Sequence, residues 1–337
     1  MTEIDEIHRS REDARAALRE ALGEIKRVIV GQDAMLERLL VSLLAGGHVL
    51  LEGVPGLAKT LTLKTLAAVL GGTYGRIQFT PDLVPADLVG TRIWRPDTGH
   101  FDTELGPVFH NFVLADEINR APAKVQSALL EVMQEQQVTI GGTTYPVPRP
   151  FIVMATQNPI ESEGTYPLPE AQVDRFLMKI VVDYPTPGEE AAVVGRSLQP
   201  PVTVRECLTL ADLERHSHAV ESVTADRDVI GYAVELADAS RHPGNHGLPQ
   251  LEPLIEFGAS PRGPIGMVQA ARALALLRGR TQVEAQDIRD LAPDVLRHRL
   301  VLSYDALSEG ITVDALLEQI LAAVPEPDAE RLIRAAS

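Results

Sequence analysis

The 337-residue chain has one cysteine, Cys207. That excludes an internal disulfide framework and a cysteine-built zinc site, and a reducing cytoplasm is the simplest compartment. Lysine is scarce: Lys26, Lys59, Lys64, Lys124 and Lys179 are the only five among 31 basic residues. A compositional bias accounts for the scarcity, yet each lysine is worth inspection. No apolar run reaches the ~18 residues of a membrane span. The opening Met1-Thr2-Glu3-Ile4-Asp5-Glu6 is acidic, so no secretory leader is expected. Basic residues are outnumbered by 47 acidic ones, for a net charge of −16. Duplex nucleic acid and anionic lipid therefore gain no electrostatic support as default partners. Hydrophobic residues at 45% and charged ones at 23% exclude wholesale disorder.

The chain that remains is patterned. Glu3 to Lys26 reads as an amphipathic helix. Five short apolar runs read as strands: His48–Glu52, Arg76–Thr80, Phe112–Ala115, Phe151–Ala155 and Leu177–Val182. Helical faces lie between them, one over Thr60–Leu70 and one carrying Val125, Leu129, Val132 and Met133. Strands alternating with helices imply a mostly parallel sheet covered on both sides. Two segments break the rhythm, Thr91–Glu104 and Val138–Val147, and both read as hairpins inserted into an α/β core. Strand signals stop after Tyr184-Pro-Thr-Pro187-Gly188. The expected organisation is an α/β domain over 1–187 and a helical domain over 188–337.

The strongest motif is Gly53-Val54-Pro55-Gly56-Leu57-Ala58-Lys59-Thr60, followed by Leu61. It leaves a buried strand and opens a helix, the context that marks a Walker A loop. Backbone N–H groups and the helix N-terminus make an anion site. Lys59 would reach the β- and γ-phosphates of ATP, and the Thr60 hydroxyl would ligate Mg²⁺. Ala58 stands where the general pattern has glycine. It is acceptable if the backbone there is already helical.

Phe112-Val-Leu-Ala-Asp116-Glu117 is four apolar residues followed by two carboxylates. In such a sheet, ligands bind at the carboxyl ends of strands. Asp116 would hold Mg²⁺ through its water shell, and Glu117 would polarise the attacking water. The plainer reading, that the pair caps the next helix, loses weight beside a phosphate loop.

The motifs GVPGLAKT (53–60), LADEINRAPAKVQSALLEVMQE (114–135), ATQNPIESEGTYPLPEAQVDRF (155–176) and GASPRG (258–263) together resemble the MoxR family of AAA+ ATPases. The resemblance covers roughly residues 20–305. It implies a P-loop α/β domain with a five-stranded parallel sheet, a helix-2 insert and a pre-sensor-1 hairpin, followed by a small all-helical lid. Asn158 matches sensor 1, Arg175 the arginine finger that reaches a neighbouring subunit's nucleotide, and Arg262 sensor 2. Ser260 as N-cap and Pro261 at the first helical position would set Arg262 in a first turn, where its charge opposes the helix dipole and needs a holder. Gly31 and Gln32 match the stretch near the adenine. Arg120 lies beside the site and is a second candidate to face a neighbour.

The resemblance further implies ATP hydrolysis with Mg²⁺, a homo-oligomeric ring, most simply a hexamer, and a chaperone-like task. The task is to remodel or activate a client protein complex, in some cases with metal insertion, beside a separate protein carrying a von Willebrand factor A domain. A nucleic-acid translocating motor is disfavoured, because the second hairpin carries no basic residue. A Mg-chelatase-type subunit, a close relative, is a further alternative. His216, His218, His242 and His246 read as surface or loop histidines, and Cys207 as a buried small hydrophobe.

Overall fold

The structure, a computed structural model, describes residues 3–54, 56–97, 99–158 and 164–327, with residues 3–10 as helical backbone only. Pro55 of the phosphate loop and the end of the acidic stretch 325–330, expected to be a solvated tail, lie outside the described residues. Packing divides the chain into two units. The first comprises Ala16–Phe176 and Ile180–Arg215, and the second gathers the other described residues.

The first unit is built on α1 (Glu3–Lys26, from Ala16 onward), α2 (Asp33–Leu44), β1 (Val49–Glu52), α3 (Lys59–Val69), β2 (Tyr74–Gln78), α4 (Pro85–Val89), β3 (Gly90–Arg95), β4 (His100–Leu105) and β5 (Phe112–Asp116). It continues through α5 (Ala123–Glu135), β6 (Gln137–Ile140), β7 (Thr143–Pro146), β8 (Ile152–Gln157), α6 (Glu170–Val173), β9 (Met178–Val181) and α7 (Pro187–Ser197). Five strands form one sheet in the order β2-β5-β8-β1-β9, and β2, β5, β8 and β1 pair in parallel. The central strands are near-continuous apolar runs because both faces are covered; Phe112, Val113, Leu114 and Ala115 are fully buried. With β8 between β5 and β1, the carboxyl ends of these three strands are neighbours. That adjacency positions the site.

The two insertions are antiparallel hairpins. β3 pairs β4 from Gly90↔Leu105 to Arg95↔His100, and β6 pairs β7 around Gly141 and Gly142, both at positive φ, as a tight hairpin turn requires. β2 begins at Tyr74, two residues before the apolar pattern placed it, and Phe79 still donates to the Asp116 carbonyl beyond its end. The units part at Arg215 and His216, not at 187 and 188. The stretch after β9 packs on the sheet unit: the Cys207 amide donates to the Val69 carbonyl at 2.8 Å, and Arg205 pairs with Glu20 at 2.7 Å. Helical periodicity reveals a helix but not which core it covers.

The second unit holds the remainder of α8 (Leu210–Glu221), then α9 (Arg227–Arg241), β10 (Ile255–Phe257), α10 (Arg262–Leu277), α11 (Ala285–Leu296), β11 (Val301–Leu302), α12 (Tyr304–Ser308) and α13 (Val313–Ala323). Small residues Gly266, Ala270, Ala271 and Ala273 on α10 are buried among its neighbours. Asp287 is also buried, held by Arg278 and Arg280.

The reading of four surface or loop histidines needs correction at His216; His218 and His242 are exposed. His216 is buried in α8. Asp238 sits between His242 and His246, its two oxygens 3.1 Å from one ring nitrogen of each. Helix α9 supplies that acid. Among the described residues no group of three such side chains could hold a metal. Cys207 is part-exposed rather than buried, and partial burial still pushes its thiol up.

Candidate active site

The phosphate loop leaves β1 at Gly53. A β-carbon there would lie 2.7 Å from the Val182 carbonyl oxygen, a fixed backbone atom, so only glycine fits. Gly56 follows at φ 90 and Ala58 at φ 56. Ala58 is therefore left-handed, not helical, and the helix starts one residue later at Lys59. The strain that glycine would avoid is accepted at this position, as happens at ligand clamps. The turn presents the N-terminus of α3, eleven residues long, with its unpaired amides and positive dipole end.

A cavity of about 360 Å³ opens over this helix end. It is lined by Gly53, Gly56, Leu57, Ala58, Lys59, Thr60, Leu61, Asp116, Glu117, Thr156, Gln157 and Asn158. The Lys59 ammonium donates to the Gly53 carbonyl, closing the loop on itself. Burial pushes its pKa down, while Asp116, Glu117 and Glu52 pull it back up. A half-buried cation facing a ring of amides suits a polyphosphate.

Opposite the loop, β5 ends at Asp116. The Arg76 guanidinium holds Asp116 Oδ2 at 2.7 Å and the Thr156 hydroxyl donates to Oδ1 at 2.7 Å. Glu117 takes φ 56, and its side chain makes no cap bond to the turn that follows, so the capping reading is not met. Its Oε2 accepts from Gln78 Nε2 at 3.0 Å and pairs with Arg120 at 3.3 Å. The donors present are hard oxygens, among them the Thr60 hydroxyl and the Asp116 and Glu117 carboxylates, without a full protein cage among the described residues. Mg²⁺ is held in that way, by one or two side chains plus substrate phosphates.

The other expected residues lie elsewhere. Val54 is part-buried and outside the cavity lining. Gly31 and Gln32 do not line it either. They pack against the segment after β9, with Gln32 Nε2 donating to the Asp183 carbonyl at 3.1 Å and Gly31 against the Glu189 carboxylate. Arg175 lines a separate groove of about 740 Å³ over α5, with Ser127, Glu131 and Gln172 among its walls. Arg262 belongs to the second unit as the first residue of α10. Pro261, not Ser260, occupies the cap position, and the Arg262 amide donates to Ser260 Oγ at 3.1 Å.

Sequence reasoning passed over Arg76, Gln78 and Thr156. The signal was available. Thr156 is two residues before Asn158, and Arg76 and Gln78 are two apart at a strand end, so each pair shares a sheet face.

The fold and this site define a P-loop ATPase of the AAA+ class. Residues 48–178 match the family model described as ATPase family associated with various cellular activities (AAA), and residues 251–320 match the AAA lid domain. The chain is 56% identical to Chaperone MoxR1 of Mycobacterium tuberculosis over 92% of its own length and 82% of that protein's. It is 36% identical to Protein MoxR of Paracoccus denitrificans, covering 94% and 98%. A crystal structure from Cytophaga hutchinsonii, assigned as an ATPase, superposes with a TM-score of 0.92 at 45% identity, covering 97% of this chain and all of that one. The chain belongs to the MoxR family of AAA+ ATPases. It binds nucleotide and hydrolyses ATP. Among the described residues no helix is long and apolar enough to cross a membrane.

Proposed function

We propose that this chain is a chaperone-like ATPase that works as a ring of identical subunits, most simply a hexamer, in the cytoplasm. The observation that carries the reading is the separation of Arg175 from the phosphate cavity within one unit. Among the described residues no acidic side chain pairs with Arg175, which fits an arginine kept for a nucleotide held by the next subunit. Such a cation in trans contributes ~10³–10⁵ in rate in well-studied nucleotide hydrolases. Lys59 and the loop amides bind the phosphates. Thr60 and Asp116 would hold Mg²⁺, which supplies charge neutralisation to the transferring phosphoryl group. Glu117 orients and deprotonates water, Asn158 positions it, and the second sensor role is assigned to Arg262.

The hairpins support a protein client. Trp94 is 49% exposed and Phe101 53%, with ring centroids 5.0 Å apart. The second hairpin braces the first through Tyr145, whose hydroxyl donates to Thr103 at 3.2 Å. The insert's basic residues are already engaged, Arg92 over the Phe101 ring and Arg95 with Asp102, which argues against a nucleic-acid track. Exposed aromatics in contact with each other mark a contact surface. The partner proposed is a separate protein with a von Willebrand factor A domain that presents a client complex for activation.

The test is subunit mixing. Glu117→Gln and Arg175→Ala are each expected to abolish turnover while retaining ATP binding. Mixed, they should regain activity, because some interfaces join an intact Glu117 to an intact Arg175. An active Arg175→Ala variant, or a mixture no better than its parts, overturns the ring reading. A pull-down on Glu117→Gln with ATP, with and without nuclease, tests the partner: recovery that vanishes with nuclease points to nucleic acid instead.

A further inference from the structure

We infer that Thr156 is a positioning residue of the hydrolytic site, a reading that rests on the ATPase function above. Thr156 lies on β8, 2% exposed, between the strand that ends in the phosphate loop and the strand that ends in Asp116. The register of β5 and β8 runs to Ala115↔Ala155, and Asp116 and Thr156 are the next residues of each strand. The Thr156 hydroxyl makes two bonds, 2.7 Å to Asp116 Oδ1 and 2.9 Å to the Glu117 amide.

Their directions are fixed by chemistry. An amide only donates, so the hydroxyl oxygen accepts from Glu117 N–H. Its single proton is then left for the carboxylate. One hydroxyl thereby orients the side chain of the candidate metal ligand and anchors the backbone of the candidate base. Both need an anchor. Glu117 sits at φ 56, a conformation a residue with a β-carbon keeps only when its surroundings impose it. Asp116 is gripped on its other oxygen by Arg76, so Thr156 completes a two-sided clamp that fixes the plane of the carboxylate. Only a hydroxyl does both tasks. Valine has the same shape and neither bond, and an amide or carboxylate is too large for a buried position between two strands.

The Thr156 hydroxyl spends its proton on Asp116 and its lone pair on the Glu117 amide, so its role is exerted through those two residues. Outer partners of a metal ligand typically matter by ~10–100-fold. The experiment compares wild type with Thr156→Val and Thr156→Ser in the full chain at ring-forming concentration. Three quantities are read: kcat, affinity for a fluorescent ATP analogue in EDTA, and the Mg²⁺ concentration that half-saturates the Mg²⁺-dependent gain in that affinity.

Thr156→Val is expected to lower kcat by at least ~10-fold and to raise the Mg²⁺ half-saturation by a similar factor. Its metal-free affinity should stay within about twofold of wild type, because the phosphate loop is untouched. Thr156→Ser should restore both lost quantities to within about threefold, since it returns the hydroxyl. Wild-type kcat and Mg²⁺ dependence in Thr156→Val overturn the inference. So does equal impairment of the valine and serine variants with a common loss of Tm, which is the signature of a packing role. Failure of the wild-type chain itself to bind or hydrolyse ATP overturns the underlying function instead.

Discussion

His48, at the foot of β1, makes stability of the sheet unit depend on pH in a calculable way. The ring is buried, edge-on to Phe151 at 5.5 Å. Nδ1 accepts from the Val153 amide at 3.0 Å, which leaves Nε2–H to donate to the Met133 carbonyl at 3.2 Å. Both bonds need the neutral ring, since a second proton would face the Val153 N–H. Burial pushes the pKa down from 6.5 to about 4, against a smaller upward pull from the Met133 carbonyl. The unfolded chain therefore takes up a proton that the folded chain refuses between those two values. Stability is complete above about pH 6.5 and is lost as pH falls toward about 4, where the deficit levels off at about 3 kcal/mol. Between about pH 7.5 and about pH 5 the expected loss is about 2 kcal/mol. That is a large share of a typical domain's ~5–15 kcal/mol. Urea titrations across that range measure it, followed by fluorescence of Trp94, the only tryptophan, which lies in the same unit. His48→Gln keeps one acceptor and one donor but does not titrate, so the difference between wild type and variant separates His48 from carboxylates. Parallel pH profiles for the two proteins, or an NMR titration of the His48 ring centred near its ordinary value, would refute the reasoning.

Three further outcomes follow from particular contacts. Asp287→Ala strips Arg280 and Arg278 of a fully buried partner but leaves them Glu284 and Asp290; the helical unit should lose ~1–3 kcal/mol in chemical denaturation. Ala58→Gly relieves a left-handed φ and should stabilise the chain by about 1 kcal/mol without weakening ATP binding, read by urea titration and nucleotide titration. Gly53→Ala drives a methyl into the Val182 carbonyl; ATP binding should be lost and stability should fall by ~1–3 kcal/mol, measured by calorimetry.

The contrast between Ala58 and Thr156 shows which parts of this site a sequence displays. The phosphate loop was legible because its chemistry is local. Strand, glycine turn, Lys59, Thr60 and helix follow one another along the chain, so residue order is also spatial order. The conformation of Ala58 was not legible, because alanine carries no mark of a left-handed φ; the constraint comes from the loop that must turn its amides inward. Asp116 and Glu117 were visible as carboxylates after an apolar run, and sheet order then placed them beside the loop. Their partners Arg76, Gln78 and Thr156 come from strands 39 to 40 residues away on either side. Nothing along the chain links them until β5 lies between β2 and β8. The boundary at Arg215 was hidden for the same reason, because helix α7 looks alike whichever core it covers. The groups that perform the proposed chemistry are thus written in contiguous motifs, whereas the groups that aim them are assembled by strand order.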